Sequence, residues 1–159
     1  MSSNEKQWVR LLAERLNEPL QRFSNGAVSM CVGSHKRLLY ACEVAAYENL
    51  SPVETNSSGY ETDLLLYDKA GGSRWVPRVV VECKLGGVTT HDALTYSAKA
   101  FTHKHVHPYL RYGILVGDFG ESTVQGRLFR HGAYFDFMLT WASAEPSQEQ
   151  WDDFSGSIA

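Results

Sequence analysis

The stretch RVVVECKLGG, Arg78 to Gly87, combines three consecutive valines with two charged side chains and a glycine pair. Consecutive β-branched residues favour a buried β-strand. Because alternate residues of a strand share a face, Glu82 and Lys84 lie on the same face at the end of this run. A carboxylate and an ammonium group at the tip of a buried strand cost free energy unless they are paired or functional. The stretch therefore predicts both a central strand and a candidate site.

A strand–helix–strand unit surrounds this stretch. Strand 76–84 is followed by a helix over 90–105 and by the apolar run RYGILVGDF, which predicts a strand over 112–117. Such a unit implies a right-handed crossover and a parallel strand pair. Together with the strands expected upstream, it favours an α/β fold with a mixed central sheet flanked by helices.

Upstream of this unit, helical spacing predicts one helix over 4–17 and another over 35–50, separated by a loop over 24–34. The segments VETN and YETDLLLYD are then expected to form a hairpin around a turn at SSG, 57–59. The glycines of KAGGS, 69–73, predict the next turn.

Downstream, the segment GRLFRHGAYFDFMLTW, 126–141, predicts a strand pair with a His-Gly turn. A short final helix is expected after Pro146, ending near residue 154. The length of 159 residues favours a single domain over 1–159. We place its core over about 35–117, with helix 4–17 and the strands and helix of 126–154 as additions.

Bulk properties narrow the class of protein. No apolar run approaches the roughly 20 residues that span a bilayer, so no membrane association is expected. The N-terminus lacks a basic-then-apolar signal, and the three cysteines are spread apart without a C-x-x-C pair. These features favour a reducing compartment, the cytoplasm, and argue against a cysteine zinc site. The formal net charge of −3 weakens a nucleic-acid role but allows a local cationic patch.

Charged residues at two strand ends are expected to converge. In YETDLLLYD, alternation places Asp63 on the same face of its strand as Glu61, Leu65 and Tyr67. If this strand neighbours 76–84, Asp63, Glu82 and Lys84 meet on one side of the sheet. Clustered carboxylates raise each other's pKa unless a cation compensates, and Mg²⁺ prefers such oxygen ligands. A metal-activated water and a nearby lysine are the parts that phosphodiester hydrolysis requires.

Asp63, an 18-residue gap and the Glu82-Cys83-Lys84 strand end resemble the PD-(D/E)XK nuclease superfamily, which has the restriction-endonuclease-like fold. The expected order of elements over about 35–117 is similar to the αβββαβ core of that family. The resemblance implies a metal-dependent endonuclease of the restriction or repair type. Its substrate would be DNA, its cofactor Mg²⁺ with Mn²⁺ as a substitute, and its product a 5′-phosphate. A symmetric homodimer would supply one active site for each strand.

The resemblance also implies roles for individual residues. Asp63 and Glu82 would bind the metal through their carboxylates, and Cys83 would contribute its backbone carbonyl. Lys84 would be the catalytic lysine. Glu43, on the helix expected before the sheet, matches an acidic residue that some members use as a further metal contact.

The sequence departs from the family at one position and leaves some assignments open. The proline that precedes the first acid in the family is Thr62 here. Glu61 and Asp68 are rivals of Asp63 for the position of that acid. Glu82 and Lys84 could instead form a structural ion pair, and Asp63 could serve as a turn residue.

The helix over 90–105 offers polar residues to the site. Leu94, Ala98 and Phe101 form one stripe of the helix, which we expect to be its apolar side. Candidates for a residue that supports the site, or simply for the solvated face, are Asp92, Tyr96, Lys99 and His103, with His91 and Thr95 on the flank. The candidate DNA contacts are Lys36, Lys99 and Lys104. His103 and His107 stand four residues apart and could bind zinc, although a polar helix end is the simpler interpretation.

Two other functions compete with the nuclease. A non-catalytic member of the same fold would serve as a nucleic-acid-binding or assembly subunit. A small α/β enzyme could instead act on another phosphorylated or nucleotide substrate, but the sequence contains no P-loop or dinucleotide fingerprint.

Overall fold

The computed structural model describes residues 3–21, 29–69, 72–121 and 123–158. These residues form four helices and five strands. In chain order they are α1 (Ser3–Gln21), β1 (Ser29–Glu48), β2 (Ser51–Lys69), β3 (Trp75–Leu85), α2 (Thr90–Val106), β4 (Arg111–Gly117), α3 (Gly126–His131), β5 (Phe137–Thr140) and α4 (Gln148–Ile158).

The five strands form one sheet in the order β1-β2-β3-β4-β5. β2 is antiparallel to both of its neighbours, β1 and β3, whereas β3, β4 and β5 run parallel. α2 provides the crossover between β3 and β4, as the strand–helix–strand pattern predicted. The prediction of an α/β fold with a mixed sheet and flanking helices is confirmed.

β3 lies at the centre of the core because both of its faces are covered. On one face, Val79, Val81 and Cys83 pack in a cluster with α1 and α4. On the other face, Val80 packs with Tyr112 of β4 and with α2. A strand that is buried on both faces has a nearly continuous apolar sequence, which explains the three valines. The charges at its end are therefore placed at the edge of a dry core.

The helix predicted over 35–50 is wrong, because residues 35–48 belong to strand β1 and residues 49 and 50 form the turn that follows it. β1 pairs with β2 almost residue by residue from Ser29 to Glu48. The helical spacing of apolar residues in this segment gave a false signal, since pairing with a neighbouring strand overrides local periodicity. The first helix of the fold is α1, which extends the predicted helix 4–17 to Gln21.

The turn predicted at SSG, 57–59, is also wrong, because β2 is continuous through it. The chain reverses instead at Asn49 and Leu50, which both have positive φ angles, 47° and 69°. Two successive positive φ angles are typical of the two-residue turns that join antiparallel strands. Part of the loop predicted over 24–34 and Ala70 and Gly71 of the next turn lie outside the described residues, but from Ser29 the chain is already in β1.

The outer halves of β1 and β2 form a two-stranded ribbon, residues 41–58, whose side chains are mostly exposed. At about 3.3 Å per residue, the ribbon extends roughly 25–30 Å. Its charged side chains are Glu43, Glu48 and Glu54, and its sequence has no Lys, Arg or His. The ribbon is therefore acidic throughout.

Two further expectations change near the C-terminus and on α2. Residues 126–131 form helix α3, so the strand pair predicted over 126–141 is reduced to the single strand β5. The final helix is confirmed as α4. On α2, Leu94 and Phe101 are largely exposed, whereas the side chains turned into the protein are Ala93, Ser97, Ala100 and His103. Small residues let the helix approach the sheet closely, so the expected apolar stripe is not its buried face.

No helix within the described part of the chain has the length and apolar character needed to span a bilayer.

Candidate functional site

The ladder between β2 and β3 brings two carboxylates together. Leu64 lies opposite Val81, so Asp63 and Glu82 are the next residues along the antiparallel pair. The backbone N–H of Cys83 donates a hydrogen bond of 2.8 Å to Asp63 Oδ2. Asp63 and Glu82 are only 6% and 1% exposed, and the two carboxyl groups are close enough for the charge of Asp63 to act on Glu82.

Burial disfavours the ionised form of both carboxyl groups. Burial, followed by the negative charge of Asp63, raises the pKa of Glu82 to about 7, against the opposing effects of Lys99 and Tyr112. Burial also raises the pKa of Asp63, although the hydrogen bond from Cys83 and the charge of Lys99 oppose it. The fully ionised form of Asp63 and Glu82 is therefore unfavourable unless a nearby positive charge stabilises it.

Lys99 of α2 supplies positive charge to this pair. Its Nζ lies 3.6 Å from Glu82 Oε1, which also accepts a hydrogen bond of 2.5 Å from the hydroxyl of Tyr112. The same Nζ lies 5.4 Å from the ring centre of Tyr60 and 5.2 Å from that of Tyr96. The sequence leaves Lys99 as a candidate for a residue that supports the site, for the solvated face or for a DNA contact, and the structure places it between two aromatic rings beside a carboxylate.

Lys84 points toward a different carboxylate. Its Nζ lies 3.5 Å from Glu5 Oε1, and the same oxygen accepts a hydrogen bond of 3.2 Å from the backbone N–H of Leu85. Glu5 is buried on α1 and thereby connects that helix to the end of β3. Lys84 therefore lies at the strand end predicted for it, but its nearest described acidic partner is Glu5.

Glu5 is a residue that the sequence interpretation missed. It lies three residues before Trp8 and seven before Leu12, both of which are buried on α1. This spacing continues the buried stripe of the helix by one turn. An acidic residue on an otherwise apolar stripe was the available signal.

The structure does not bring Glu43 to the carboxylate pair. Glu43 lies on the exposed ribbon, where its Oε2 is 3.4 Å from Asn56 Nδ2. Asn56 precedes Asp63 by seven residues on β2, which corresponds to roughly 23 Å along a strand. The expected metal contact depended on a helix over 35–50, and that helix is absent.

Glu61 and Asp68, the two rivals of Asp63, have other charged partners. Glu61 is exposed and lies 3.4 Å from His35 Nδ1. Asp68 forms an ion pair of 2.5 Å with Arg78 Nε. Of the three acidic residues considered on β2, Asp63 is the one placed beside Glu82.

The remaining candidates have contacts of their own. Lys104 Nζ donates to Tyr134 O and to Asp136 Oδ1, at 2.9 and 2.8 Å, and so holds α2 to the segment before β5. His103 Nδ1 and His107 Nε2 both contact the carbonyl oxygen of Leu39, at 2.9 and 3.1 Å. Burial lowers the pKa of His103 to about 4, so this ring is neutral at ordinary pH.

Oxygen atoms dominate the groups available to a metal ion. Over the described ranges, no cluster of three or more His, Cys, Asp and Glu side chains is arranged to hold one. The candidate ligands are the two carboxylates and the backbone carbonyl of Cys83. This oxygen set suits a hard cation that retains several waters, such as Mg²⁺, better than zinc.

Comparison with known proteins provides no family assignment. No protein-family model matches the chain, and no curated protein matches it in sequence. Function is therefore inferred from the residues of the site.

Proposed function

We propose that the protein is a metal-dependent endonuclease that hydrolyses DNA phosphodiester bonds, with Asp63 and Glu82 as its metal-binding carboxylates. The observation that supports this most strongly is the buried position of these two residues side by side on neighbouring strands, with Lys99 next to Glu82. The order α1-β1-β2-β3-α2-β4 also has the αβββαβ pattern of the restriction-endonuclease-like fold that the sequence resembles. In this proposal the leading helix is α1 rather than residues 35–50.

The carboxylate pair suits a hard divalent cation. Mg²⁺ commonly binds proteins through one or two carboxylates and keeps several waters. The raised pKa of Glu82 and Asp63 arises mainly from burial, and a divalent cation would offset it by favouring the ionised forms. When bound, Mg²⁺ would activate a water molecule and offset the negative charge of the phosphate.

The protein's own groups would position the reaction. Tyr112 donates to Glu82 and fixes the orientation of that carboxylate. Lys99 lies beside Glu82, Lys84 follows Glu82 by two residues on β3 and contacts Glu5, and both lysine side chains keep part of their surface exposed. We assign them to binding the scissile phosphate and stabilising its developing charge. Lys84 is the lysine that the resemblance implies, and Lys99 is the one nearest to Glu82.

A cleavage assay with matched variants tests this proposal. Duplex, junction and single-stranded DNA are incubated with Mg²⁺ and with EDTA, using the wild type and the variants Asp63→Asn, Glu82→Gln, Lys84→Ala and Lys99→Ala. Loss of one charge-stabilising group commonly reduces the rate by about 100-fold or more, so each variant is expected to show such a loss. Glu43→Gln, a carboxylate change on the distant ribbon, should cleave like the wild type. Activity that persists in EDTA or in Glu82→Gln would overturn the assignment.

A second candidate is a DNA-binding member of the same fold without catalysis. The nearly complete burial of both carboxylates, with Lys99 already beside Glu82, favours it, because such a cluster can be purely structural. Wild-type protein that binds DNA but does not cleave any of the three substrates with Mg²⁺ or Mn²⁺ would select this candidate.

The nuclease proposal includes a homodimer, because each subunit has one carboxylate pair and a duplex has two strands to cut. Sedimentation of the protein with and without DNA would test it. A species that remains monomeric on duplex DNA while cutting both strands would contradict the dimer.

A further inference from the structure

A cavity lies beside the end of β2 and the start of β3, away from the strand tip that carries Glu82 and Lys84. It has a volume of about 320 Å³ and is lined in part by Lys36, Arg37, Leu65, Tyr67, Lys69 and Trp75. Three of these side chains are cations, and no acidic side chain is among the described lining residues. The chain as a whole has a net charge of −3, so this concentration of positive charge is a local feature.

The cavity combines its cations with two aromatic rings. The ring centres of Tyr67 and Trp75 are 5.5 Å apart, with an angle of 67° between their planes. Lys69 lies directly opposite Trp75 in the β2–β3 ladder, so a cation and a ring are neighbours. Trp75 is 43% exposed, which leaves part of the ring available to a ligand. Cations next to an exposed ring are typical of surfaces that bind single-stranded nucleic acid, where the ring stacks on a base and the cations contact phosphates.

The cavity lies on the same face of the sheet as the carboxylate pair. Asp63, Leu65 and Tyr67 alternate along β2 and therefore share a face. Leu65 packs in the cluster formed with α2, whose Lys99 contacts Glu82. Lys69, opposite Trp75, lies six residues beyond Asp63 on β2, which corresponds to roughly 20 Å along the strand. That distance equals about six nucleotide steps of a DNA strand.

We propose that this cavity binds an unpaired nucleotide of the DNA substrate, with its base against Trp75 and its phosphate against Lys36, Arg37 and Lys69. The ring can stack on a base only when that face of the base is uncovered, and in a continuous duplex both faces are covered by neighbouring base pairs. The inference rests on the proposed function and specifies its substrate class: DNA with a single-stranded segment, such as a flap, a frayed end or a junction.

Tryptophan fluorescence tests the wild type directly. Of the four tryptophans, Trp8, Trp141 and Trp151 are buried and Trp75 is exposed. Titration with an oligothymidylate in EDTA is expected to quench the emission, whereas a blunt duplex of equal length should quench it far less. An absence of quenching, or equal quenching by the two DNAs, would overturn the proposal.

Variants separate the contribution of stacking from that of charge. The affinity of each variant for a labelled oligothymidylate is measured by fluorescence anisotropy. Trp75→Ala should weaken binding by about 5-fold or more, whereas Trp75→Phe keeps a ring and should stay within about 3-fold. The double variant Lys36→Ala/Lys69→Ala should lose about 10-fold or more and show a shallower salt dependence. The matched control is Lys6→Ala/Arg10→Ala, which removes two exposed cations from α1. Equal affinities of the two double variants would overturn the proposal.

These measurements are made without metal and therefore do not depend on catalysis. Cleavage of blunt duplexes without binding of oligothymidylate would contradict the cavity proposal and leave the nuclease intact. Quenching and variant effects as expected, without any cleavage, would support the cavity and contradict the nuclease.

Discussion

Glu82 is held next to a second carboxylate in a nearly dry environment, which makes its ionisation dependent on its surroundings. Burial and the charge of Asp63 raise its pKa to about 7, while Lys99 and Tyr112 limit the shift. A carboxyl group whose pKa is raised on folding stabilises the protein at low pH, and this stabilisation is lost as the pH rises through the folded pKa. Glu82 therefore links the stability of the metal-free protein to pH.

Replacing Glu82 with Gln should remove this dependence on pH. At pH 5 the protonated Glu82 and Gln are similar, so the wild type and Glu82→Gln should have similar free energies of unfolding. At pH 8 the variant should be more stable by roughly 2–3 kcal/mol, from about 1.4 kcal/mol per pKa unit. Denaturant titration of both proteins in EDTA at the two pH values measures the difference. A difference that does not change with pH would contradict the raised pKa.

The two lysines should affect the pH dependence of cleavage differently. Lys99 lies 3.6 Å from Glu82, whereas Lys84 lies beside Glu5. Removing a cation so close to a carboxylate should raise the carboxylate pKa by about one unit or more. The acidic limb of the pH–rate profile should therefore move to higher pH in Lys99→Met and stay in place in Lys84→Met. A shift in Lys84→Met without one in Lys99→Met would contradict the placement of Lys99 as the lysine that acts on Glu82.

At the scale of elements, α2 is fixed at its start by a capping box. The Thr89 hydroxyl accepts from the backbone N–H of Asp92, and Asp92 Oδ2 accepts from the backbone N–H of Thr89. Lys99 lies two to three turns further along the same helix. The cap therefore contributes to the position of the ammonium group that contacts Glu82.

Removing the cap should destabilise the protein modestly. Thr89→Ala should lower the free energy of unfolding by about 1 kcal/mol. Thr90→Ala, one residue later and without a capping bond, is the matched control and should change it by less than about 0.5 kcal/mol. Thermal or denaturant unfolding of the two variants checks the difference. Equal losses would show that the box does not hold the helix.

The elements also show where sequence reasoning succeeds and where it fails. The valine run and Gly86-Gly87 identified β3, because burial on both faces leaves a strong local signal. Leu38, Cys42 and Ala45 are compatible with helical spacing, which predicts a helix over 35–50. The prediction fails because a strand that pairs along its whole length needs no strict alternation. The buried face of α2 was also missed, since Ser97 and His103 are buried by packing that no local pattern records.

At the scale of the whole molecule, charge is separated although the net charge is small. The ribbon of residues 41–58 has three glutamates and no cation, whereas the cavity at the end of β2 and the start of β3 is lined by three cations. Composition alone could not reveal this separation, because it depends on which distant segments the sheet brings together. The pairing of Asp63 with Glu82 was foreseeable from alternation, but the contribution of α1 through Glu5 was not.

The ribbon is expected to be dispensable for both stability and DNA binding. Ala41 pairs with Ser58, so residues 42–57 can be replaced by an Asn-Gly turn that suits a two-residue hairpin. Because the removed side chains are mostly exposed and none is cationic, unfolding free energy should change by less than about 1 kcal/mol. Denaturant titration and DNA binding of the shortened chain check this. A shortened chain that no longer binds DNA would assign the ribbon a role in recognition.

The central claim is that Asp63 and Glu82 together hold a divalent cation. Crystals soaked in Mn²⁺ and measured for anomalous scattering test it most directly. A peak in contact with carboxylate oxygens of both residues, absent from crystals of Glu82→Gln, is the predicted result. A peak at another site, or none between these two side chains at a Mn²⁺ concentration that supports cleavage, would contradict the claim.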